Sequence, residues 1–356
     1  MKIGILTLPL HTNYGGILQA YALQTIIERM GHEPHLIKRL MVKRSTKKML
    51  IYKSKSLIKK VICFLTLDAN DKMRKSLGIR SFIKQYIIVD EFDSFEQIKK
   101  NQYDIIIVGS DQIWRPLYVK DIENTYLNFA VGWNIKRIAY GASFGVSDWE
   151  YTLEQTLVCK KLLREFDAVS VRELSGVKLC KEHFNVDAQW VLDPTMLLDK
   201  DDYINRFNLT RISKNTDYMF DYILDETCDK NAFIERIANK TCLQPFWRRN
   251  INEKTELPSV IEWLDAFYNS EFVVTDSFHG CVFSIIFQKK FIVFGNEKRG
   301  MARIQSLLNL LGLENRLVMN FEQLNEVCVH HIDWVIIAEK LQEFRNNSIC
   351  FLRNNI

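Results

Sequence analysis

The chain has 356 residues, more than one ordinary hydrophobic core organises, so two domains are expected. Its 47% apolar and 26% charged residues are ordinary for a globular protein, and no apolar run approaches the roughly 18 residues of a membrane span. The net charge of +5 hides an asymmetry, since residues 1–100 carry 19 Lys and Arg against 8 Asp and Glu.

Lys2 to Leu8 reads as a buried opening strand with no leader pattern before it, so a cytoplasmic location is expected. Pro9 to Gly16 reads as a loop ending in Asn13, Tyr14, Gly15 and Gly16, and Ile17 to Met30 as a helix stopped by Gly31. The loop resembles a phosphate cradle but lacks the spacing of a dinucleotide or P-loop fingerprint, so a generic tight turn and a ligand loop both stand. His35 to Ile37 is the second strand.

Between Lys38 and Lys60 there are ten basic residues and no acidic one, with apolar residues interleaved as far as 65. Either this is a solvated lysine face, or an amphipathic surface that meets an anionic membrane or a diphosphate-linked lipid. Nucleic acid is not expected, because no aromatic or base-reading pattern accompanies the charge.

Phe82 to Val89 and Tyr103 to Gly109 read as strands. After the second come Ser110, Asp111, Gln112 and Trp114, at the carboxyl end of a strand where an open α/β sheet faces its ligand crevice. A turn capped by Asp111 is the plainer alternative. Arg137 to Gly145 repeats the arrangement, Tyr151 to Phe166 is a helix, and the strand Ala168 to Val171 leads into Arg172 and Glu173. Arg172 either pairs with Glu173 or faces the cleft. Gln189 to Leu192 closes the first domain before Asp193 and Pro194, giving domains of 1–200 and 201–356.

In the second half Tyr218 to Leu224 is a strand, Asp229 to Lys240 a helix, Leu243 to Trp247 a strand, and Ser259 to Tyr268 a helix begun by Pro258. The most informative stretch follows. Phe272 to Val274 is an apolar run, Thr275 and Asp276 lead to Ser277 as a helix N-cap, and Phe278 to Phe287 is helical, with His279 and Gly280 in its first turn. Lys290 to Phe294 is the next parallel strand, followed by Lys298, Arg299 and Arg303. A helix N-terminus in such a βαβ unit offers bare NH groups and a positive dipole end, so anions collect beside His279. Ala302 to Leu311 is a helix stopped by Gly312, and a strand near Leu317 and further helices complete the chain. Repeated strand and helix in both halves imply two doubly wound domains facing a cleft. The eight cysteines are scattered, with no C-x-x-C pair or ligand spacing, so free thiols and no metal site are expected.

The strings LTLPLHTNYGGILQAYALQ, VGSDQIW, VSVRE, VLDPT, TDSFHGCVFSIIFQKKFIVF and RGMARIQSLLNLLGLENRL together closely resemble the polysaccharide pyruvyl transferase family, in order over nearly the whole chain. The resemblance implies a fold similar to the GT-B glycosyltransferases, phosphoenolpyruvate as donor, a saccharide diol as acceptor, and no cofactor. Under it, Asn13, Tyr14, Gly15, Gly16 and Ser110 line the cleft, and Asp111 joins the catalytic set. Arg172, Lys298, Arg299, Arg303 and the helix N-terminus from Ser277 to Gly280 bind the donor's carboxylate and phosphate. His279 moves protons, as acid or base, with Asp276 or Ser277 fixing its ring. Two other readings stand beside this one: a glycosyltransferase using a nucleotide sugar, and a non-catalytic binder of anionic lipid or saccharide.

Overall fold

In the computed structural model, residues 1–40, 76–211, 217–247, 256–320 and 331–356 are described. Strands β1 (Lys2–Leu6), β2 (Glu33–Arg39), β3 (Val89–Phe92), β4 (Ile105–Val108), β5 (Lys136–Ala142), β6 (Ala168–Val171) and β7 (Gln189–Trp190) form one parallel sheet in the order 3-2-1-4-5-6-7. Strands β8 (Tyr218–Tyr222), β9 (Gln244–Pro245), β10 (Phe272–Thr275), β11 (Lys290–Phe294) and β12 (Leu317–Val318) form a second in the order 12-11-10-8-9. Each order reverses once, between β1 and β4 and between β8 and β10. Ligands of doubly wound sheets bind outside the carboxyl ends of the strands at such a switch point.

The helices are α1 (Tyr14–Arg29), α2 (Leu77–Tyr86), α3 (Leu153–Leu163), α4 (Leu174–Leu179), α5 (Lys200–Phe207), α6 (Cys228–Thr241), α7 (Val260–Asn269), α8 (Phe278–Ile286), α9 (Ala302–Leu311) and α10 (Trp334–Asn355). Parallel strands covered on both faces must be apolar throughout, and β4 (IIIV) is. Its Ile105 and Ile107 join one core and Ile106 and Val108 another, as the two-residue period requires. The first of these cores also takes in Phe220, Val273 and Phe291 of the second sheet, so one apolar layer runs beneath both domains. Tyr14 shows how tightly they are joined: its ring stacks on Trp263 at 5.4 Å and its hydroxyl donates to Pro258 O at 2.7 Å. Helix α10 returns to the segment that follows β7, where Arg345 Nε donates to Met196 O at 2.8 Å.

Three elements differ from the sequence reading. Phe82 to Val89, expected as a strand, is largely α2: Ile79 and Phe82 are buried one turn apart, a helical spacing that the β-branched run Ile87 to Val89 disguises. Helix α1 begins at Tyr14 rather than Ile17, so both glycines lie in its first turn under the cap of Asn13, whose Oδ1 accepts from Gly16 N at 3.2 Å. The expected domain boundary at 200 falls at the start of α5, begun by a reciprocal cap between Asp199 and Asp202 and anchored by buried Tyr203 and Phe207. The cysteines Cys159, Cys180 and Cys281 are buried free thiols, whereas Cys228, Cys242 and Cys350 are free but exposed rather than packed.

Of the basic stretch expected over 38–65, Lys38 and Arg39 end β2, pairing with Glu91 at 2.7 Å and Asp121 at 3.1 Å; residues 41–75 lie outside the described residues. Among the described residues no helix is long and apolar enough to cross a membrane.

Candidate active site

The two switch points face each other, and the N-termini of α1 and α8 meet between them. Ser277 caps α8 through its Oγ, which accepts from Gly280 N at 3.3 Å. The imidazole of His279 then projects against the first turn of α1. Gly15 exists for this contact: a Cβ there would lie 2.0 Å from His279 Nδ1. Gly280 answers a similar demand on its own side, since a Cβ would lie 2.1 Å from Thr275 Oγ1. A helix-interior glycine costs about 0.5–1 kcal/mol relative to alanine, so two in first turns at one junction mark close approach.

Behind His279 lies a buried ionic network. Arg172, its side chain fully enclosed, donates to Asp193 Oδ2 at 2.5 Å, Ser110 Oγ at 3.2 Å and Asp111 Oδ1 at 3.1 Å. Asp193 Oδ1 accepts from Thr195 N and Oγ1 at 3.0 and 2.6 Å. His279 Nε2, buried and without a hydrogen-bond partner among the described residues, stands 3.7 Å from Asp193 Oδ2, within ion-pair range but too far for a hydrogen bond. Burial by itself would raise both carboxyls. His279 and Arg172 outweigh it at Asp193, and Arg172, His279 and Arg303 outweigh it at Asp111, so both are held below the usual carboxylate range. Asp111 also adopts φ +64°, a left-handed conformation costly for a residue with a Cβ.

Arg303 is buried too, and burial together with the like charge of Arg172 pushes its guanidinium down to about 10. Its Nη2 donates to Arg299 O at 2.9 Å, and its Nε is buried with no partner among the described residues. The Phe278 ring lies under both Arg303, at 5.2 Å, and Arg172, at 5.0 Å.

The second domain supplies the opposite wall. Asp276 accepts from Lys230 Nζ at 2.6 Å, Leu224 N at 2.6 Å, Asp225 N at 3.2 Å and Asn296 Nδ2 at 3.0 Å. Asp225 takes a two-point contact from Arg299, Nε at 2.7 Å and Nη2 at 2.9 Å, which holds its carboxyl down to about 2. Between the walls is a small polar pocket of about 50 Å³, lined by Asn13, Asp111, Gln112, Ser277, His279, Arg299 and Arg303 among others.

The residues singled out in the sequence therefore separate by place. Asn13, Asp111, Asp276, Ser277, His279, Arg299 and Arg303 reach the pocket wall. Ser110 and Arg172 lie behind it, and Arg172 pairs with Asp111 and Asp193, not with Glu173 as one reading had it. Glu173 Oε1 instead accepts from Phe144 N and Gly145 N at 2.8 and 3.1 Å. Tyr14 is a core residue, Gly15, Gly16 and Gly280 permit close packing, and Lys298 is exposed outside the pocket wall. Asp276, expected to orient His279, is fully engaged elsewhere; Asp193 is the carboxylate beside the ring. Asp193, Lys230 and Asn296 were missed as site residues. The first was signalled by its place just past a strand in VLDPT, while nothing in the local sequence marks the other two.

Gly15→Ala tests the junction. A methyl group 2.0 Å from Nδ1 forces the ring or α1 to move, and overpacking of this kind costs about 1–3 kcal/mol. The expected result is a lowered melting temperature and a displaced His279 imidazole signal in NMR. Unchanged values for both would show that α1 does not seat the ring.

Among solved structures, Arabidopsis thaliana UGT89C1 complexed with UDP-L-rhamnose is similar with a TM-score of 0.52 at 9% identity, over 98% of this chain and 97% of that one. The UDP-GlcNAc 2-epimerase of Methanocaldococcus jannaschii gives 0.51 at 13% identity, over 94% and 93%. These likenesses bear on the fold, which is that of GT-B-like glycosyltransferases and epimerases, two doubly wound domains facing a cleft. No curated protein matches the chain by sequence. The family described as polysaccharide pyruvyl transferase matches residues 13–298, a span that includes Asn13, Asp111, Arg172, Asp193 and His279. By that match the chain belongs to the polysaccharide pyruvyl transferase family.

Proposed function

We propose that the protein transfers the enolpyruvyl group of phosphoenolpyruvate to two hydroxyls of a saccharide, forming a pyruvate ketal and releasing phosphate, in the synthesis of a cell-surface polysaccharide. The observation that carries this reading is the placement of an imidazole, His279, in one polar pocket with a buried, incompletely partnered guanidinium, Arg303. A donor bearing both carboxylate and phosphate needs converging cations, and a proton-transfer reaction needs a group able to exchange protons near neutrality.

In this reading one sugar hydroxyl adds to C2 of the enolpyruvyl group while the methylene carbon takes a proton and becomes a methyl group. The bond from C2 to the phosphate oxygen breaks, and the second hydroxyl adds to the same carbon. Of the two hydroxyl protons, one ends on the methyl group and the other leaves with phosphate. His279 carries these protons at the pocket face. Asp193, held ionised by Arg172 and Thr195, gives the ring a fixed negative partner, in the manner of a carboxylate behind a catalytic histidine. Arg303, its Nε unpartnered among the described residues, and the first-turn NH groups of α8 receive the donor's anionic groups. Arg299 contributes once the donor displaces Asp225 from it.

Phosphoenolpyruvate at a hundredfold excess over its Kd should stabilise the native state by about 2.7 kcal/mol and raise the melting temperature. A panel of nucleotide sugars should leave that temperature unchanged. Stabilisation by a nucleotide sugar and not by phosphoenolpyruvate would replace this reading with the glycosyltransferase one.

A further inference from the structure

The pocket has a rim on the first-domain side that the reaction as described does not use. Gln112, part of the pocket wall, is linked through its Oε1 to Arg115 Nη1 at 3.4 Å. Arg115 is 5% exposed and is clamped by Glu150 at two points, both 3.0 Å. Its guanidinium covers one face of the Tyr118 ring at 5.1 Å, and its Nη1 donates to the Tyr118 hydroxyl at 3.4 Å. The ring is nevertheless 42% exposed, beside Leu117 at 67%. Through Arg115 Nη1, which contacts both Gln112 Oε1 and the Tyr118 hydroxyl, Tyr118 is tied to the pocket wall. A buried, fully held guanidinium is an unusual support for a surface tyrosine. It leaves a flat, largely apolar face held one residue away from Gln112 of the pocket wall.

We infer that the free face of Tyr118 is the platform on which a pyranose ring of the acceptor saccharide stacks, with Leu117 beside it and the reacting hydroxyls turned into the pocket. This inference rests on the saccharide acceptor of the proposed function. The apolar CH face of a sugar and an aromatic face exclude water from each other, while the sugar's hydroxyl edge stays free for hydrogen bonds, here to Gln112 and Asn13 in the pocket wall. Fixing the ring in advance through Arg115 and Glu150 lowers the ordering cost of that contact.

The test uses the full chain with Tyr118→Ala and Tyr118→Phe, and methyl glycosides of galactose, mannose and N-acetylhexosamines as probes. Saturation-transfer NMR on the wild type should show transfer to the ring protons of at least one glycoside, lost in Tyr118→Ala and kept in Tyr118→Phe. With phosphoenolpyruvate and that glycoside, Tyr118→Ala should raise the acceptor KM about tenfold, with kcat and donor KM within twofold of wild type and Tyr118→Phe close to wild type. No glycoside signal from the wild type, an acceptor KM unmoved by Tyr118→Ala, or equal losses in both variants would overturn the platform. Glycoside binding through Tyr118 without pyruvyl transfer would retain the platform and refute the proposed reaction instead.

Discussion

Replacing His279 with alanine should lower turnover by about 10² to 10⁴ at saturating phosphoenolpyruvate while the protein stays folded, the range expected for loss of a positioned acid or base. The expectation of a folded variant comes from the geometry. Among the described residues His279 Nε2 has no hydrogen bond to lose, and the Asp193 carboxylate behind it keeps Arg172, Ser110 and Thr195 as partners. Circular dichroism and a thermal melt would check the fold, and phosphate release with an accepted glycoside would check the rate. Wild-type turnover in a folded His279→Ala protein would remove the imidazole from the mechanism.

Asp193→Ala should do the opposite and damage stability first, by about 3–5 kcal/mol, since removing one partner of a buried pair leaves the other charge under-compensated. Arg172 keeps Asp111 but loses its shortest contact, and Ser110 and Thr195 lose an acceptor in an enclosed space. The pH dependence follows with a definite sign. Asp193 and Asp111 titrate lower in the folded chain than the roughly 3.9 of an unfolded aspartate. Their contribution is therefore present above about pH 4 and lost as the pH falls through their folded values. Asp193→Asn, which cannot ionise, should flatten that acid limb. Urea unfolding at pH 7 and at a series of acid pH values measures both effects; a change under about 1 kcal/mol for the alanine variant would show that the network is not a stabilising unit.

Both experiments concern residues that were not equally visible beforehand. His279 was legible because Asp276, Ser277, His279 and Gly280, interrupted only by Phe278, have no use in a core between two apolar runs, and because a strand-to-helix turn places them at an anion-binding end. Asp193 was marked only by its place just past a strand, because its ionic role arises only when β7 and α8 are brought together. Their contact residues are 86 positions apart, and an ionic contact has no local periodicity to announce it. Lys230 is a similar case: a lysine in the first turn of α6 reads as solvent-facing until Asp276 is found 2.6 Å from it.

What the sequence determined by itself was the βαβ alternation, the buried character of β1, β4 and β10, the cap at Ser277, and the family; α7, expected to begin with Pro258, is instead capped by Ser259. These depend on neighbours within a turn or a strand, where spacing is geometry. Tertiary structure decided which carboxylate faces which cation. It made Gly15 and Gly16 packing residues under His279 and Asp111 rather than a phosphate loop, and it turned Tyr14 into the core. It also made Phe82 helical against Tyr21 and Phe207 although the following residues favour a strand. The physical reason is the same throughout: burial and charge pairing are settled by elements far apart in the chain, and local preference yields to them wherever the two conflict.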